Sequence, residues 1–79
     1  MKYVYILQSV INLERYYTGV TDNVEAHLNK YNLGEVLHVS KFKPWRIKTY
    51  IAFLDEKQVF EFEKYLKSGS GRAFAKKRL

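Results

Sequence analysis

Two tyrosines near the start of the chain and one glutamate far downstream are the residues whose types and spacing point to chemistry. Tyr5 lies in the run Tyr-Val-Tyr-Ile-Leu at positions 3–7, and Tyr17 begins Tyr17-Thr18-Gly19 twelve residues later. Glu63 lies in a segment with the apolar spacing of a helix. Phenol hydroxyls, a carboxylate able to hold a divalent cation and basic side chains are ingredients of metal-assisted phosphodiester chemistry.

Glu63 is notable for its position in the pattern. It follows Val59 by four residues and precedes Leu66 by three, on the helix stripe that we expect to be buried. Burying a carboxylate costs free energy unless a cation, a metal ion or a hydrogen-bond donor contacts it. Either a metal site or an ion pair with Lys64 or Lys67 satisfies this requirement. A single carboxylate holds Mg²⁺ only when phosphate and water complete the coordination shell.

Tyrosine is common in β-strands, so each tyrosine taken alone is better explained by packing than by chemistry. The pair of Tyr5 and Tyr17 is more informative, because Gly19 follows and permits close approach of another group to the backbone. His27 is more often a packing residue than a ligand at such a position. No two-histidine metal motif is present in the sequence, which argues against zinc.

The first half of the chain predicts a hairpin followed by a helix. Residues 2–8 predict a strand covered on both faces, and residues 15–20 predict its antiparallel partner. Polar oxygens at positions 21–23 can cap a helix over 22–32 that ends near Gly34. The helix stripe expected to face the sheet consists of Val24, His27, Leu28 and Tyr31.

The second half predicts a loop over 35–46, a strand over 47–54 and a helix over about 56–67. One face of that strand should carry Ile47, Thr49, Ile51 and Phe53. The segment Ser68-Gly69-Ser70-Gly71 is expected to break the helix, and residues 72–79 to form a short helix or a basic tail. The order β-β-α-β-α-α predicts one α+β domain over residues 1–79, a small three-stranded antiparallel sheet flanked by helices.

Composition limits the classes of function. The 79 residues carry a formal charge of +6, which favours polyanionic partners without identifying one. The absence of cysteine excludes disulfides and thiolate metal sites, and no apolar stretch approaches the length of a membrane span. We therefore expect a cytoplasmic protein without membrane contact. Composition does not predict its oligomeric state.

Cations and aromatic side chains alternate between Lys41 and Lys48. Basic side chains of this kind track phosphates, and exposed aromatic rings stack on unpaired bases. Contacts to nucleic-acid phosphates are predicted for Lys41, Lys43 and Arg46. Trp45, beside the only proline, is as well suited to covering one end of the core as to base stacking.

In these motifs the chain resembles the GIY-YIG (URI-domain) endonucleases, and above all their short single-domain bacterial members. The half-motifs correspond to Tyr-Val-Tyr-Ile-Leu and Tyr17-Thr18-Gly19, and residues 21–25 resemble the start of the first helix. Lys43-Pro44-Trp45 resembles the loop before the third strand, and residues 63–67 resemble the metal-binding helix. Each motif match alone is weak evidence for the family. The order and spacing of the matches together are specific, and the matches extend over nearly the whole chain.

The resemblance implies hydrolysis of phosphodiester bonds, with DNA as the expected partner and one divalent ion, Mg²⁺ or Mn²⁺, as cofactor. Tyr5 and Tyr17 match the motif tyrosines, one of which would orient or deprotonate the attacking water. Glu63 matches the metal-binding glutamate, and Tyr31 falls where members carry tyrosine or histidine near the scissile phosphate. A free tyrosine has a pKa of about 10, so a cation must lower it for base catalysis at neutral pH.

Two departures from the family pattern weaken the expectation of full activity. His27 stands where the resemblance implies an arginine, eight residues after Gly19. Histidine lacks the permanent charge and bidentate grip of arginine. No asparagine follows Asn32, so the C-terminal asparagine of some members has no counterpart. The alternatives are therefore a nucleic-acid-binding domain that does not cut, or a protein-interaction module that uses its aromatic surface.

Overall fold

The computed structural model describes residues 1–35 and 41–79, which form an antiparallel three-stranded sheet and three helices. The order along the chain is β-β-α-β-α-α, so the predicted α+β architecture is confirmed. The sheet order is β2-β1-β3, which places the first strand in the centre. The elements are β1 (Lys2–Ser9), β2 (Tyr16–Thr21), α1 (Val24–Asn32), β3 (Trp45–Phe53), α2 (Glu56–Leu66) and α3 (Gly69–Arg78).

The central strand β1 is covered on both faces, which explains its continuous apolar run. One face packs against α1 and forms the α1 core, whose buried members are Tyr5, Leu7, Val24, Tyr31 and Trp45. The other face packs against α2 and forms the α2 core, whose buried members are Val4, Ile6, Val59 and Leu66. Trp45 is 4% exposed, so it serves as core and its ring is not free to stack on a base.

The prediction that one face of β3 carries Ile47 together with Thr49, Ile51 and Phe53 was wrong for Ile47. The register between β1 and β3 shifts at Ile6/Leu7, so Thr49 pairs with Ile6 while Ile47 pairs with Leu7. An irregularity of this kind inserts one residue and exchanges the faces beyond it. Ile47 therefore packs in the α1 core, and Phe53 packs in the α2 core.

Side-chain amides fix both ends of α1. Asn23 accepts a hydrogen bond from the backbone N–H of Ala26, which caps the first turn. Beyond the helix Gly34 has a φ of 77°, a conformation that glycine adopts without strain, so the predicted stop is confirmed. Asn32 donates to the carbonyl of Trp45 and accepts from its N–H, which joins α1 to β3. Of the predicted loop over 35–46, residues 36–40 lie outside the described residues.

The predicted break after the second long helix is confirmed, since α2 ends at Leu66 and Ser68 is the N-cap of α3, but the break is shorter than expected because α3 already begins at Gly69. The Ser68 side chain caps α3 by accepting from the N–H of Gly71 at 3.1 Å. A Cβ on Gly71 would lie 1.8 Å from the carbonyl oxygen of Tyr65, so glycine is what lets the two helices meet so closely. Among residues 1–35 and 41–79, no helix is long and apolar enough to cross a membrane.

Candidate active site

Tyr5 is at the centre of a hydrogen-bonded cluster between β1 and α1. Its side chain is 2% exposed, and its hydroxyl lies 3.0 Å from the Tyr31 hydroxyl and 3.3 Å from Nδ1 of His27. Both partners come from the stripe of α1 that the sequence predicted to face the sheet. Tyr5 is paired with Gly19 across the β1–β2 ladder, so the neighbouring strand offers no side chain at this point.

Tyr17 joins the cluster from β2. Its ring packs edge-on against the ring of Tyr31, with centroids 5.0 Å apart, and its hydroxyl is hydrogen-bonded to that of Tyr31. Tyr31 is 5% exposed and lies between the two motif tyrosines, whereas Tyr17 is only half-buried. Tyr17 is therefore the most accessible phenol of the three.

His27 lies at the other end of the cluster and is half-buried. Its ring centroid is 5.6 Å from that of Tyr5 and 6.2 Å from that of Tyr31. The residue that replaces the expected arginine thus contacts the phenols directly. A structural packing role and a role at the substrate are both compatible with a half-exposed ring.

The protein environment favours the neutral form of the buried phenols. Burial raises the pKa of Tyr5, and the hydrogen bond from Tyr31 offsets only part of that increase. The charges of Tyr17 and Glu63 raise the pKa of Tyr5 further. Burial, together with the hydrogen bonds to Tyr5 and Tyr17, also raises the pKa of Tyr31 far above its ordinary value. Both side chains are therefore protonated donors at neutral pH.

Glu63 lies on α2, with 22% of its side chain exposed, and its carboxylate is 3.0 Å from Nζ of Lys67. The ion pair with Lys67 is one of the two alternatives that the sequence left open. Four of the five predicted catalytic residues touch in one cluster beside α1, whereas Glu63 lies on α2, which packs on the other face of β1.

The donor set around Glu63 fits a hard divalent cation held largely by non-protein oxygens. Within the described residues, no three histidine or acidic side chains gather as a metal cage. A single carboxylate suits Mg²⁺ or Mn²⁺ when substrate phosphate and waters supply the remaining ligands.

The predicted phosphate-binding residues lie on the surface near the start of β3. Lys41 and Lys43 are exposed, and Nζ of Lys41 lies 5.1 Å from the centroid of the Phe42 ring. Arg46 is exposed, yet two of its guanidinium nitrogens donate to Oε1 of Gln8, at 3.0 and 2.6 Å. This bond holds the guanidinium beside β1.

Sequence reasoning missed a second set of cations on the α2 side of the sheet. They line a groove of about 720 Å³ together with Tyr17. These cations are Arg15, Lys48, Lys67, Arg72 and Lys76. Lys48 and Arg72 belong to the two basic segments visible in the sequence, but only the folded chain brings the segments together.

The whole-chain comparison agrees with these observations. The chain matches the GIY-YIG catalytic domain over residues 1–78. It therefore belongs to the GIY-YIG family, a family of nucleases that act on nucleic acids and generally depend on divalent metal ions. No curated protein matches the chain.

Proposed function

We propose that this protein is a divalent-metal-dependent endonuclease that hydrolyses phosphodiester bonds in DNA. The single observation that carries the proposal is the contact of Tyr5 with both His27 and Tyr31, at 3.3 and 3.0 Å, inside a domain of this family. Buried hydroxyls so arranged hold a fixed geometry, and a fixed geometry is what catalysis by positioning requires.

The cluster has one direction of donation that serves catalysis. If the Tyr31 hydroxyl donates to Tyr5, the Tyr5 proton is left for Nδ1 of His27. Nδ1 is then an acceptor, so Nε2 carries the ring proton and can donate to a phosphate oxygen. The oxygen of Tyr17 keeps lone pairs that can accept a hydrogen bond from water. In this arrangement the cluster presents a hydrogen-bond acceptor at one end, the oxygen of Tyr17, and a hydrogen-bond donor at the other end, Nε2 of His27.

The roles of the phenols follow from their exposure. Tyr17, the accessible phenol, orients the attacking water by accepting a hydrogen bond from it. Tyr5 and Tyr31 are buried and protonated, so they act as positioning residues that hold Tyr17 and His27. His27 contacts the scissile phosphate with a single donor.

Glu63 would hold the divalent cation. When bound, a cation of this kind polarises the phosphate, lowers the pKa of nearby oxygen acids and offsets charge on the leaving oxygen. To bind the cation, Glu63 must give up its ion pair with Lys67. An ion pair at a partly exposed site is weak enough for this to happen.

The test is a plasmid-nicking assay with Mg²⁺ or Mn²⁺, comparing the wild-type protein with Glu63→Gln. We expect the substitution to lower the rate by about 10²-fold or more, since it removes the only carboxylate assigned to the metal. Glu61→Gln, an exposed change on the same helix, is the matched control and should nick like the wild type. Equal nicking by Glu63→Gln and the wild type would refute the assignment.

The second candidate function is a nucleic-acid-binding domain that does not cut. It is favoured by His27, which replaces a permanent cation in the cluster, and by the formal charge of +6. The same assay separates the two functions: salt-sensitive retention of DNA without any nicking supports binding alone.

A further inference from the structure

Most of the charged side chains that line the groove on the α2 side of the sheet are cations. Its floor is apolar and consists of Ile6, Leu66 and Ala75. Five cations line its walls against one carboxylate, that of Glu14. We call this surface the basic groove, defined by Arg15, Lys48, Lys67, Arg72 and Lys76.

Most of these cations have no acidic partner. Of the five, only Lys67 forms an ion pair with another described residue. Like charges gathered in one cleft repel each other and create a positive potential that attracts anions. Such an arrangement is costly for the isolated fold, and a bound polyanion relieves the repulsion.

Two of the cations are held in place by aromatic rings. The Arg15 guanidinium lies 4.7 Å from the centroid of the Phe42 ring, and Nζ of Lys48 lies 4.8 Å from that of Tyr16. Cation–π contacts at this distance hold a side chain without neutralising its charge. Tyr16 is 48% exposed and lines the groove, so its ring is also accessible to a ligand.

The groove adjoins the candidate active site at Tyr17 and Lys67. Tyr17 lines the groove while its ring packs on Tyr31, and Lys67 lines the groove while its ammonium group contacts Glu63. A chain of phosphates lying along the groove would therefore reach both the accessible phenol and the carboxylate assigned to the metal. A small free anion would use only part of the charged wall.

We propose that the basic groove binds the sugar–phosphate backbone of the nucleic acid and leads it to Tyr17 and Glu63. The inference rests on the proposed function for the identity of the polymer. It assigns the main phosphate contacts to Arg15, Lys48, Lys67, Arg72 and Lys76, in addition to the cations near the start of β3.

The experiment measures binding of a labelled oligonucleotide by fluorescence polarisation, in EDTA so that no cleavage occurs, over a series of salt concentrations. The groove variant is Arg72→Gln with Lys76→Gln. The control is Lys77→Gln with Arg78→Gln, which removes the same charge from the same helix at exposed residues that do not line the groove. Circular dichroism confirms that both variants are folded.

Each phosphate contact contributes about 0.7 to 0.9 to the slope of log K against log salt. We expect the groove variant to bind more weakly and to lose about 1.4 to 1.8 from that slope, while the control retains the wild-type slope. Equal losses in both variants would overturn the proposal, because they would show a diffuse charge effect. Equal affinity of the wild type for poly-glutamate would also overturn it, since the groove would then not select phosphates.

Binding without metal separates this proposal from the proposed function. If the wild type binds through the groove but never nicks with Mg²⁺ or Mn²⁺, the groove stands and the nuclease assignment fails. If the wild type nicks and the groove variant binds normally, the groove assignment fails alone.

Discussion

The hydroxyl of Tyr5 lies over the backbone of Gly19, so close that a Cβ on Gly19 would be 2.5 Å from the phenol oxygen and 2.7 Å from the carbon that carries it. The two residues are paired across β1 and β2. The glycine of one motif thus makes the space that the tyrosine of the other motif occupies. This contact explains why the two sequence motifs pack against each other.

Replacing Gly19 by alanine should displace Tyr5. The Tyr5 ring is buried, so it has little room to move, and its hydrogen bonds to His27 and Tyr31 should break. We expect a loss of about 1–3 kcal/mol of stability, typical of overpacking, and at least a tenfold loss of nicking. Urea unfolding and the nicking assay measure the two effects. Gly69→Ala is the control, because nothing lies within 4 Å of its Cβ, and it should leave both quantities near their wild-type values.

Tyr5 should determine which nitrogen of His27 carries the proton. Its hydroxyl donates to Nδ1 in the proposed arrangement, which leaves the proton on Nε2. Long-range ¹H–¹⁵N NMR should show the Nε2–H form in the wild type and a mixture of tautomers in Tyr5→Phe, together with slower nicking. Tyr3→Phe, on the same strand but outside the cluster, should keep the wild-type tautomer. A wild-type proton on Nδ1 would contradict the proposed direction of donation.

The phenol cluster should make the fold sensitive to alkaline pH. The pKa values of Tyr5 and Tyr31 are both raised by burial, so the folded state retains protons that the unfolded chain releases. The stability from these groups is therefore complete below a pH of about 10 and is lost as the pH rises beyond it, with a slope of up to about 1.4 kcal/mol per pH unit for each group. Urea unfolding between pH 9 and 11 measures this loss. The double variant Tyr5→Phe with Tyr31→Phe should lose less stability over that range, and an identical loss would contradict the assignment.

The sequence predicted the elements and their order because local signals for them are strong. The caps at Asn23 and Asp55 accept hydrogen bonds from their helices as expected, and Val24 and Tyr31 on the predicted stripe are buried. Ile47 was assigned to the wrong face because the irregularity beside Ile6/Leu7 depends on strand pairing, which the sequence does not encode locally. The start of α3 was missed because Gly71 fits a contact with Tyr65 that only the packed helices create.

In the candidate site, too, some features follow from local sequence signals and others depend on how the chain packs. The motif tyrosines and the α1 stripe predicted which side chains could meet, and these four side chains lie in contact. The basic groove could not be predicted, because Arg15, Lys48 and Arg72 come from distant parts of the chain. Their proximity depends on the end-to-end packing of α2 and α3 over the sheet. The pairing of Glu63 with Lys67 was among the alternatives, since residues four apart on a helix are neighbours.

Replacing His27 by arginine should raise the rate of nicking. The half-buried ring of His27 lies at the open end of the phenol cluster, where an arginine could donate to the hydroxyl of Tyr5 and still extend toward the substrate. A permanent, bidentate cation stabilises the charge that develops on the phosphate better than one neutral donor does. We expect at least a tenfold increase in the cleavage rate constant, measured under single-turnover conditions with saturating metal. His27→Gln keeps a neutral donor without adding charge, so it should not exceed the wild-type rate. Slower nicking by His27→Arg than by His27→Gln would show that His27 holds Tyr5 in place and does not act on the phosphate.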